Sequence, residues 1–208
     1  MIPKVIHGCW SGGPMTPLAE RCLASWRRFA PDFEIRVRAA AAEDAALTPA
    51  FWSDRERFRA LYEEGGVYFD LDVELVAPIG DLLDREWCAG EWLPDGSARA
   101  NPGSGIALAK GSPVAKAMLD YYAEHGFDRK TTVGEVFERV CPGRPPRLPP
   151  EVFSPVDGAG RLCRTGATRG IHWYAMSWSP LRNRLARWLA WHGARPLLSL
   201  LVRLKNLI

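Results

Sequence analysis

The hydrophobic pattern of the first part of the chain alternates between short apolar runs and longer amphipathic segments. The short runs are bounded by turn-forming or charged residues and predict three strands, at residues 2–7, 33–38 and 67–69. Helical spacing of the apolar residues predicts two helices, at residues 16–29 and 54–64. Since strands alternate with helices, we expect an α/β domain whose central sheet is mostly parallel and is flanked by helices.

Helix start signals recur in the second half of the chain. Ser112 followed by Pro113 predicts a helix that ends near His125. Thr132 and Glu135 have the spacing of a capping box and predict another helix. Leu and Trp residues then follow at helical spacing after residue 180, opposite several arginines. We therefore expect one domain over residues 1–180 and an amphipathic helical C-terminal tail over residues 181–208.

Composition limits the class of protein. A chain of 208 residues with 47% hydrophobic residues is large enough for one folded domain with a sizeable core. Its five cysteines are scattered without a Cys-x-x-Cys spacing, which disfavours a disulfide framework or a structural zinc site and favours a reducing cytosol. The apolar run at the N-terminus is too short for a signal peptide, and no apolar stretch is long enough to span a bilayer.

The positive charge belongs to the tail. The net charge is +3, but residues 181–208 contain six basic residues and no acid, so the rest of the chain carries 21 basic and 24 acidic residues. The basic pI therefore does not predict nucleic-acid binding. Basic residues beside Leu and Trp are typical of a helix that lies on an anionic membrane. The alternative is that the tail packs on the domain or on a partner subunit.

An acidic cluster follows the third predicted strand. In an extended segment Asp70 and Asp72 point to the same face, while Leu71 between them points into the core. Two converging carboxylates at the end of a buried strand are costly unless a hard divalent cation neutralises them. The cluster therefore predicts a Mn²⁺ or Mg²⁺ site. A solvated Asp-Leu-Asp turn is the alternative.

Three further features are candidates for a site. Asp54 and Arg57 share a helix face, so they could bind ligand hydroxyls or form a surface ion pair. The loop that begins at Asn101 could bring its amide close to a ligand or could be a simple turn. His172 precedes an aromatic run and could be a metal ligand or a hydrogen-bonded core residue.

Three segments together resemble one known family. They are Ile2–Trp10 (Ile-Pro-Lys-Val-Ile-His-Gly-Cys-Trp), Ser53–Asp72, which contains Ser-Asp-x-x-Arg and Leu-Tyr-x-x-Gly-Gly-x-Tyr-x-Asp-x-Asp, and Ile171–Trp178, a His followed by Ser-Trp. In this order they resemble glycosyltransferase family 32, the DxD-containing sugar transferases that include capsular and lipopolysaccharide transferases and initiating mannosyltransferases. The resemblance implies a GT-A fold, a nucleotide-sugar donor, a divalent metal and retention of the anomeric configuration.

The resemblance also implies a role for individual residues. The expected catalytic and metal-binding residues are Asp72 as direct metal ligand, Asp70 at the ribose or a metal-bound water, His172 at the metal, and Trp178 near the leaving group. The expected substrate-binding residues are Ile6, His7 and Trp10 in the nucleotide pocket, Asp54 and Arg57 at the donor sugar, Gly66 and Tyr68 in the DxD motif, Asn101 in its loop, and Ser177 at the diphosphate.

These expectations describe a metal-dependent retaining glycosyltransferase (a hexosyltransferase). It would move a sugar from a nucleotide sugar, with UDP-sugars favoured, to a surface glycan or a lipid-linked acceptor. It would act in the cytoplasm, peripherally on the inner face of the cell membrane. One alternative is a nucleotide-sugar hydrolase, in which water replaces the acceptor. The other is a non-catalytic sugar- or membrane-binding module with the same fold.

Overall fold

The computed structural model of the protein describes residues 1–11, 13–40, 49–93, 95–128, 130–156 and 161–175. These residues form four α-helices, α1 (Pro17–Phe29), α2 (Pro49–Glu64), α3 (Pro113–His125) and α4 (Val133–Val140). They also form nine strands, β1 (Val5–Trp10), β2 (Glu34–Ala39), β3 (Gly66–Tyr68), β4 (Val73–Leu75), β5 (Trp87–Cys88), β6 (Gly90–Trp92), β7 (Ala98–Ala100), β8 (Ile106–Leu108) and β9 (Gly170–His172). Two short 3₁₀ helices lie at Gly80–Leu82 and Pro150–Val152.

The predicted helix start signals are confirmed. Helix α1 begins after Thr16, whose Oγ1 accepts a hydrogen bond from the backbone N–H of Ala19 at 3.2 Å. At the start of α4, the backbone N–H of Thr132 donates to Glu135, and the backbone N–H of Glu135 donates back to Thr132 Oγ1. Such caps satisfy N–H groups that a helix leaves without intrahelical partners. Helix α2 is longer than predicted, because it begins at Pro49 rather than at residue 54.

The central sheet is mixed: four of its five strands run in the same direction, as expected of a mostly parallel sheet, and β8 runs opposite to them. Its five strands have the order β2-β1-β3-β8-β5. Strand β1 is parallel to β2 and to β3, whereas β8 is antiparallel to β3 and to β5. A parallel connection needs a long crossover, usually a helix. No α-helix lies between β3 and β8 in the described residues, so the chain returns through short antiparallel strands.

Helices cover both faces of this sheet. Successive side chains of a strand point to opposite faces. Accordingly, Val67 and Phe69 belong to a core cluster that also contains Trp26 of α1, whereas Tyr68 belongs to a second cluster that contains Phe58 of α2. The result is a three-layer arrangement in which α1 lies on one face and α2, α3 and α4 lie on the other.

A two-stranded sheet places distant segments side by side. Strand β4 pairs with β9 in antiparallel fashion, with Val73 opposite His172. The backbone N–H of Trp173 donates to the carbonyl of Asp72 at 2.9 Å. This pairing brings the predicted His172 beside the acidic cluster, although about a hundred residues separate them in the chain.

The end of the chain is outside the described residues. This includes Ser177, Trp178 and the whole predicted tail over 181–208. Within the described ranges, none of the helices has the length and apolar character needed to cross a membrane.

Candidate active site

The acidic cluster is built on a turn, not on an extended segment. Asp70 follows β3, Asp72 precedes β4, and the backbone N–H of Val73 donates to the carbonyl of Asp70 at 2.9 Å. The expectation that the two carboxylates share one face of a strand is therefore wrong, because the turn itself brings them together. Leu71 is buried in the core, as predicted.

Asp70, Asp72 and His172 form a group of ligating side chains. One ligand atom from each lies within 4.8 Å of the others. His172 Nε2 lies 3.2 Å from Asp72 Oδ1, and Asp72 Oδ2 accepts a hydrogen bond from the backbone N–H of Ala175 at 2.7 Å. Two carboxylates and one imidazole fit a divalent cation.

The pKa values of Asp72 and His172 shift in the directions of a charged pair. Burial raises the pKa of the Asp72 carboxyl, but the His172 imidazolium and the N–H of Ala175 outweigh burial and hold that pKa below its usual range. Burial lowers the pKa of His172, but the Asp72 carboxylate outweighs it, so the pKa of His172 is raised. Each partner therefore favours the charged form of the other.

Arg57 connects this group to Asp54. The Arg57 side chain is only 2% exposed, and its Nη2 donates to Asp70 Oδ1 at 2.9 Å. Its Nη1 lies 3.2 Å from Asp54 Oδ1, and its guanidinium lies over the ring of Tyr68 at 4.6 Å from the centroid. Tyr68 also donates its hydroxyl to Asp70 Oδ1 at 3.0 Å. Arg57 is thus buried and Asp54 partly buried, which excludes the alternative of a solvated surface ion pair.

Asp54 is poised to change its charge near neutral pH. Burial raises the pKa of its carboxyl, and Asp70 adds to this effect, while Arg57 opposes it; the result is a pKa of about 7. A carboxyl with that pKa can donate or accept a hydrogen bond at neutral pH. Both states are useful for holding a sugar hydroxyl.

A large cavity opens over these side chains. Its volume is about 720 Å³, which lies within the range of about 300–1,000 Å³ that is typical of small-molecule sites. Seven of the predicted site residues line it: Trp10, Asp54, Arg57, Tyr68, Asp70, Asp72 and Asn101. The sheet, the first turns of α1, α2 and α4, and the loop at 101–103 all contribute to the wall.

Three predicted substrate-binding residues lie away from the described wall of this cavity. Ile6 is completely buried in the core, and His7 is completely buried with its Nε2 2.8 Å from the carbonyl of Gly65. Gly66 has φ +111°, and a Cβ there would lie 2.5 Å from the carbonyl oxygen of Val5. The structure thus gives Gly66 a packing role, since only glycine allows β1 and β3 to approach this closely.

The Asn101 amide holds its own loop. Its Oδ1 accepts from the backbone N–H groups of Gly103 at 3.0 Å and Ser104 at 3.3 Å, and its Nδ2 donates to Glu91 at 2.6 Å. This is the turn that the sequence offered as the alternative. A Cβ at Gly103 would collide with Asp70 Oδ2, so a glycine here lets the loop pack directly against the carboxylate.

Sequence reasoning missed several residues that build the site. Ser104 Oγ lies 2.7 Å from His172 Nδ1, although 68 residues separate them. The N–H of Ala175 binds Asp72, and Phe51 and Thr132 line the cavity. Tyr174, whose ring stacks on His172 at 3.8 Å between centroids, lies inside a segment that the sequence had singled out. Ala175 lies in the same segment and Ser104 in the loop that begins at Asn101, but no local pattern indicated their contacts.

Comparisons with known proteins match part of the chain to a described family region. Residues 35–91 match the family model described as a glycosyltransferase sugar-binding region containing a DXD motif. This range includes Asp54, Arg57, Asp70 and Asp72 but stops short of His172. A search of curated protein sequences found no match.

A solved structure resembles this protein in fold. It is named PaToxG Glycosyltransferase, and it is similar with a TM-score of 0.51 and 17% sequence identity, over 68% of this chain and 71% of that chain. At this identity the likeness shows the fold alone. The matched DXD region and the glycosyltransferase fold together support a sugar transferase, with the acidic cluster and the adjoining cavity as its candidate active site.

Proposed function

We propose that this protein is a metal-dependent glycosyltransferase of the GT-A type that moves a hexose from a nucleotide sugar to an acceptor with retention of configuration. Membership of glycosyltransferase family 32 is part of this proposal. The observation that supports it best is that one cavity of about 720 Å³ contains both Asp70 and Asp72 and the buried pair of Asp54 and Arg57. A nucleotide sugar needs these two functions side by side: a cation for its diphosphate and hydrogen-bonding groups for its sugar.

The cation would be held by Asp70, Asp72 and His172, and when bound it would supply positive charge next to the departing diphosphate. Arg57 fixes the orientation of Asp70 through its 2.9 Å hydrogen bond, and Tyr68 fixes it from the other side. Asp54 and Arg57 would hold the sugar hydroxyls. Trp10 exposes part of its ring in the cavity wall, where it could pack against the nucleotide base.

Retention is part of the proposal through the resemblance to glycosyltransferase family 32, and the described carboxylates bear only on its route. Asp54, Asp70 and Asp72 line the cavity, and each already lies against a protein donor: Arg57 for the first two and Ala175 N–H for Asp72. None of these three stands free as a nucleophile, so a double displacement through them is disfavoured. The configuration of the anomeric carbon in the product, read by proton NMR, tests this part.

The acceptor and the location are proposals from the sequence. We propose a surface glycan or a lipid-linked precursor as acceptor, and a peripheral position on the cytoplasmic face of the membrane through the basic residues of 181–208. Trp178 and Ser177 would complete the donor site at the leaving group and the diphosphate.

A thermal-shift screen of UDP- and GDP-sugars, each with and without Mn²⁺, tests the proposal. A ligand that binds only the folded protein raises the melting temperature. We expect a UDP-sugar to raise it only when Mn²⁺ is present, and we expect Asp72→Asn to abolish both that shift and donor turnover. Asp84→Asn is the matched control, because Asp84 is exposed and is not among the described residues that line the cavity. Full activity of Asp72→Asn, or of the wild-type protein in EDTA, would refute the metal site.

Two alternatives predict different products. A nucleotide-sugar hydrolase releases free sugar at the same rate with or without an acceptor, whereas a transferase consumes acceptor. A non-catalytic binding module shows the thermal shift but no turnover. The buried position of Arg57 between two acids argues against a site that has lost its function, because such an arrangement is costly to keep.

A further inference from the structure

A chain of buried hydroxyl groups leads away from His172 on the side opposite the acidic cluster. His172 Nδ1 lies 2.7 Å from Ser104 Oγ, and Ser104 Oγ lies 3.0 Å from Ser154 Oγ. Ser154 Oγ lies 3.0 Å from the Tyr174 hydroxyl, which donates to Glu91 Oε2 at 3.0 Å. Ser104 and Ser154 are both at most 1% exposed. The hydroxyl chain therefore has four consecutive contacts, of which the two nearest His172 are buried and the two at Tyr174 are partly buried.

The far end of this chain accepts hydrogen bonds and donates none. Besides the Tyr174 hydroxyl, Glu91 accepts from Arg99 Nε at 2.7 Å and from Asn101 Nδ2 at 2.6 Å. Three donors, one of them a guanidinium, converge on Glu91, which is the environment of an ionised carboxylate. The direction of the last contact is thereby fixed, because Tyr174 has to donate there.

Counting protons fixes the direction of the first contact. Four contacts need four hydrogen atoms, but the hydroxyls of Ser104, Ser154 and Tyr174 supply only three. The fourth can come only from His172, so its Nδ1 carries a proton and donates to Ser104. If Nδ1 were an acceptor, one of the four contacts would lack a hydrogen atom, which is costly beside the buried Ser104 and Ser154.

We propose that the hydroxyl chain from Glu91 to Ser104 is a positioning device that keeps the His172 proton on Nδ1 and so leaves Nε2 to bind the cation. This inference rests on the metal site of the proposed function. Nε2 is the nitrogen that faces Asp72, at 3.2 Å. Groups that orient a metal-binding histidine in this way contribute about tenfold or more to metal affinity.

Tyr174→Phe is the sharpest test. The variant keeps the ring that stacks on His172 but removes the hydroxyl, with its hydrogen atom and its contacts to Ser154 and Glu91. Two serine hydroxyls then suffice for the two remaining contacts with Nδ1 as an acceptor, so the tautomer is no longer fixed. Tyr121→Phe is the matched control, since the exposed Tyr121 hydroxyl accepts a hydrogen bond from Arg139 and is not part of the hydroxyl chain. Ser104→Ala removes the direct partner of Nδ1.

The measurement is Mn²⁺ titration without donor or acceptor, followed by the EPR signal of free Mn²⁺. We expect about a tenfold weaker affinity for Tyr174→Phe and at least as large a loss for Ser104→Ala, with Tyr121→Phe unchanged. In the wild-type protein loaded with diamagnetic Cd²⁺, ¹H–¹⁵N spectra should show a proton on Nδ1 of His172 and none on Nε2.

The outcomes separate the two proposals. If the wild-type protein binds Mn²⁺ and Tyr174→Phe binds it equally well, the positioning role is refuted while the metal site stands. A proton on Nε2 in the Cd²⁺-loaded protein refutes it as well. If the wild-type protein binds neither cation, both the metal site and the positioning role fall. Free energies of unfolding of all three variants, measured in parallel, show whether an affinity loss merely follows a loss of folding.

Discussion

Arg57→Met tests how the buried charges of the site are balanced. The guanidinium is 2% exposed and lies between Asp54 at 3.2 Å and Asp70 at 2.9 Å. Methionine fills similar space but leaves two carboxylates without their cation. Removing one partner of a buried ion pair costs about 3–5 kcal/mol, which is a large part of the roughly 5–15 kcal/mol that stabilises a typical domain.

The loss of stability in Arg57→Met should depend on pH, and the direction of this dependence follows from the pKa of Asp54. The pKa of Asp54 in the folded protein is about 7, above its ordinary value, so the folded state binds a proton that the unfolded state has released. The stability that comes from this proton is present at low pH and is lost as the pH rises through 7. Without Arg57, which lowers that pKa, protonation of Asp54 relieves more of the uncompensated charge. The destabilisation should therefore be larger at pH 8 than at pH 5.5.

Urea unfolding followed by tryptophan fluorescence at these two pH values measures the effect. Arg27→Met is the control, because Arg27 is exposed on α1 and surface substitutions of this kind change stability by about 0.5 kcal/mol or less. Arg57→Lys keeps the charge without the two-pronged geometry and should fall between the wild-type protein and Arg57→Met. An equal loss at both pH values would refute the coupling to Asp54, and a loss as small as that of Arg27→Met would refute the buried ion pair.

Two further predictions concern the loop beside the cluster and the tail. Gly103→Ala should weaken Mn²⁺ binding about tenfold or more in calorimetry, because its Cβ would push Asp70 out of place. The control is Gly80→Ala, where a Cβ meets nothing within 4 Å, and this variant should bind Mn²⁺ as the wild-type protein does. Equal affinity of the two variants would exclude the steric effect. Deleting residues 181–208 should release the protein from anionic liposomes in a sedimentation assay, since six basic residues are removed; unchanged binding would show that the tail is not the membrane contact.

The sequence predicted local structure well where the signal is local. Thr16 and the pair of Thr132 and Glu135 marked the starts of α1 and α4, because capping involves residues only three positions apart. It did not predict β8 or its antiparallel direction, since strand direction depends on how the connection runs through space. It also failed for the conformation of the acidic cluster, where a turn at Asp70 replaces an extended strand.

By itself, the sequence determined the chemistry of the candidate site: Asp70, Asp72, Asp54 and Arg57 lie close together in the chain and in a recognisable spacing. The tertiary structure decided which of their possible roles are compatible with the surroundings. Because Arg57 is buried, it does not form a surface contact with Asp54 but holds Asp70 in place through a hydrogen bond. The pairing of β4 with β9 brought His172 to Asp72, and the packing of two loops gave it Ser104 as a partner. Such contacts join residues 68 and 100 positions apart. Bringing residues so distant in the chain together costs loop-closure entropy, and whether a contact forms despite this cost depends on the whole fold and not on the local sequence.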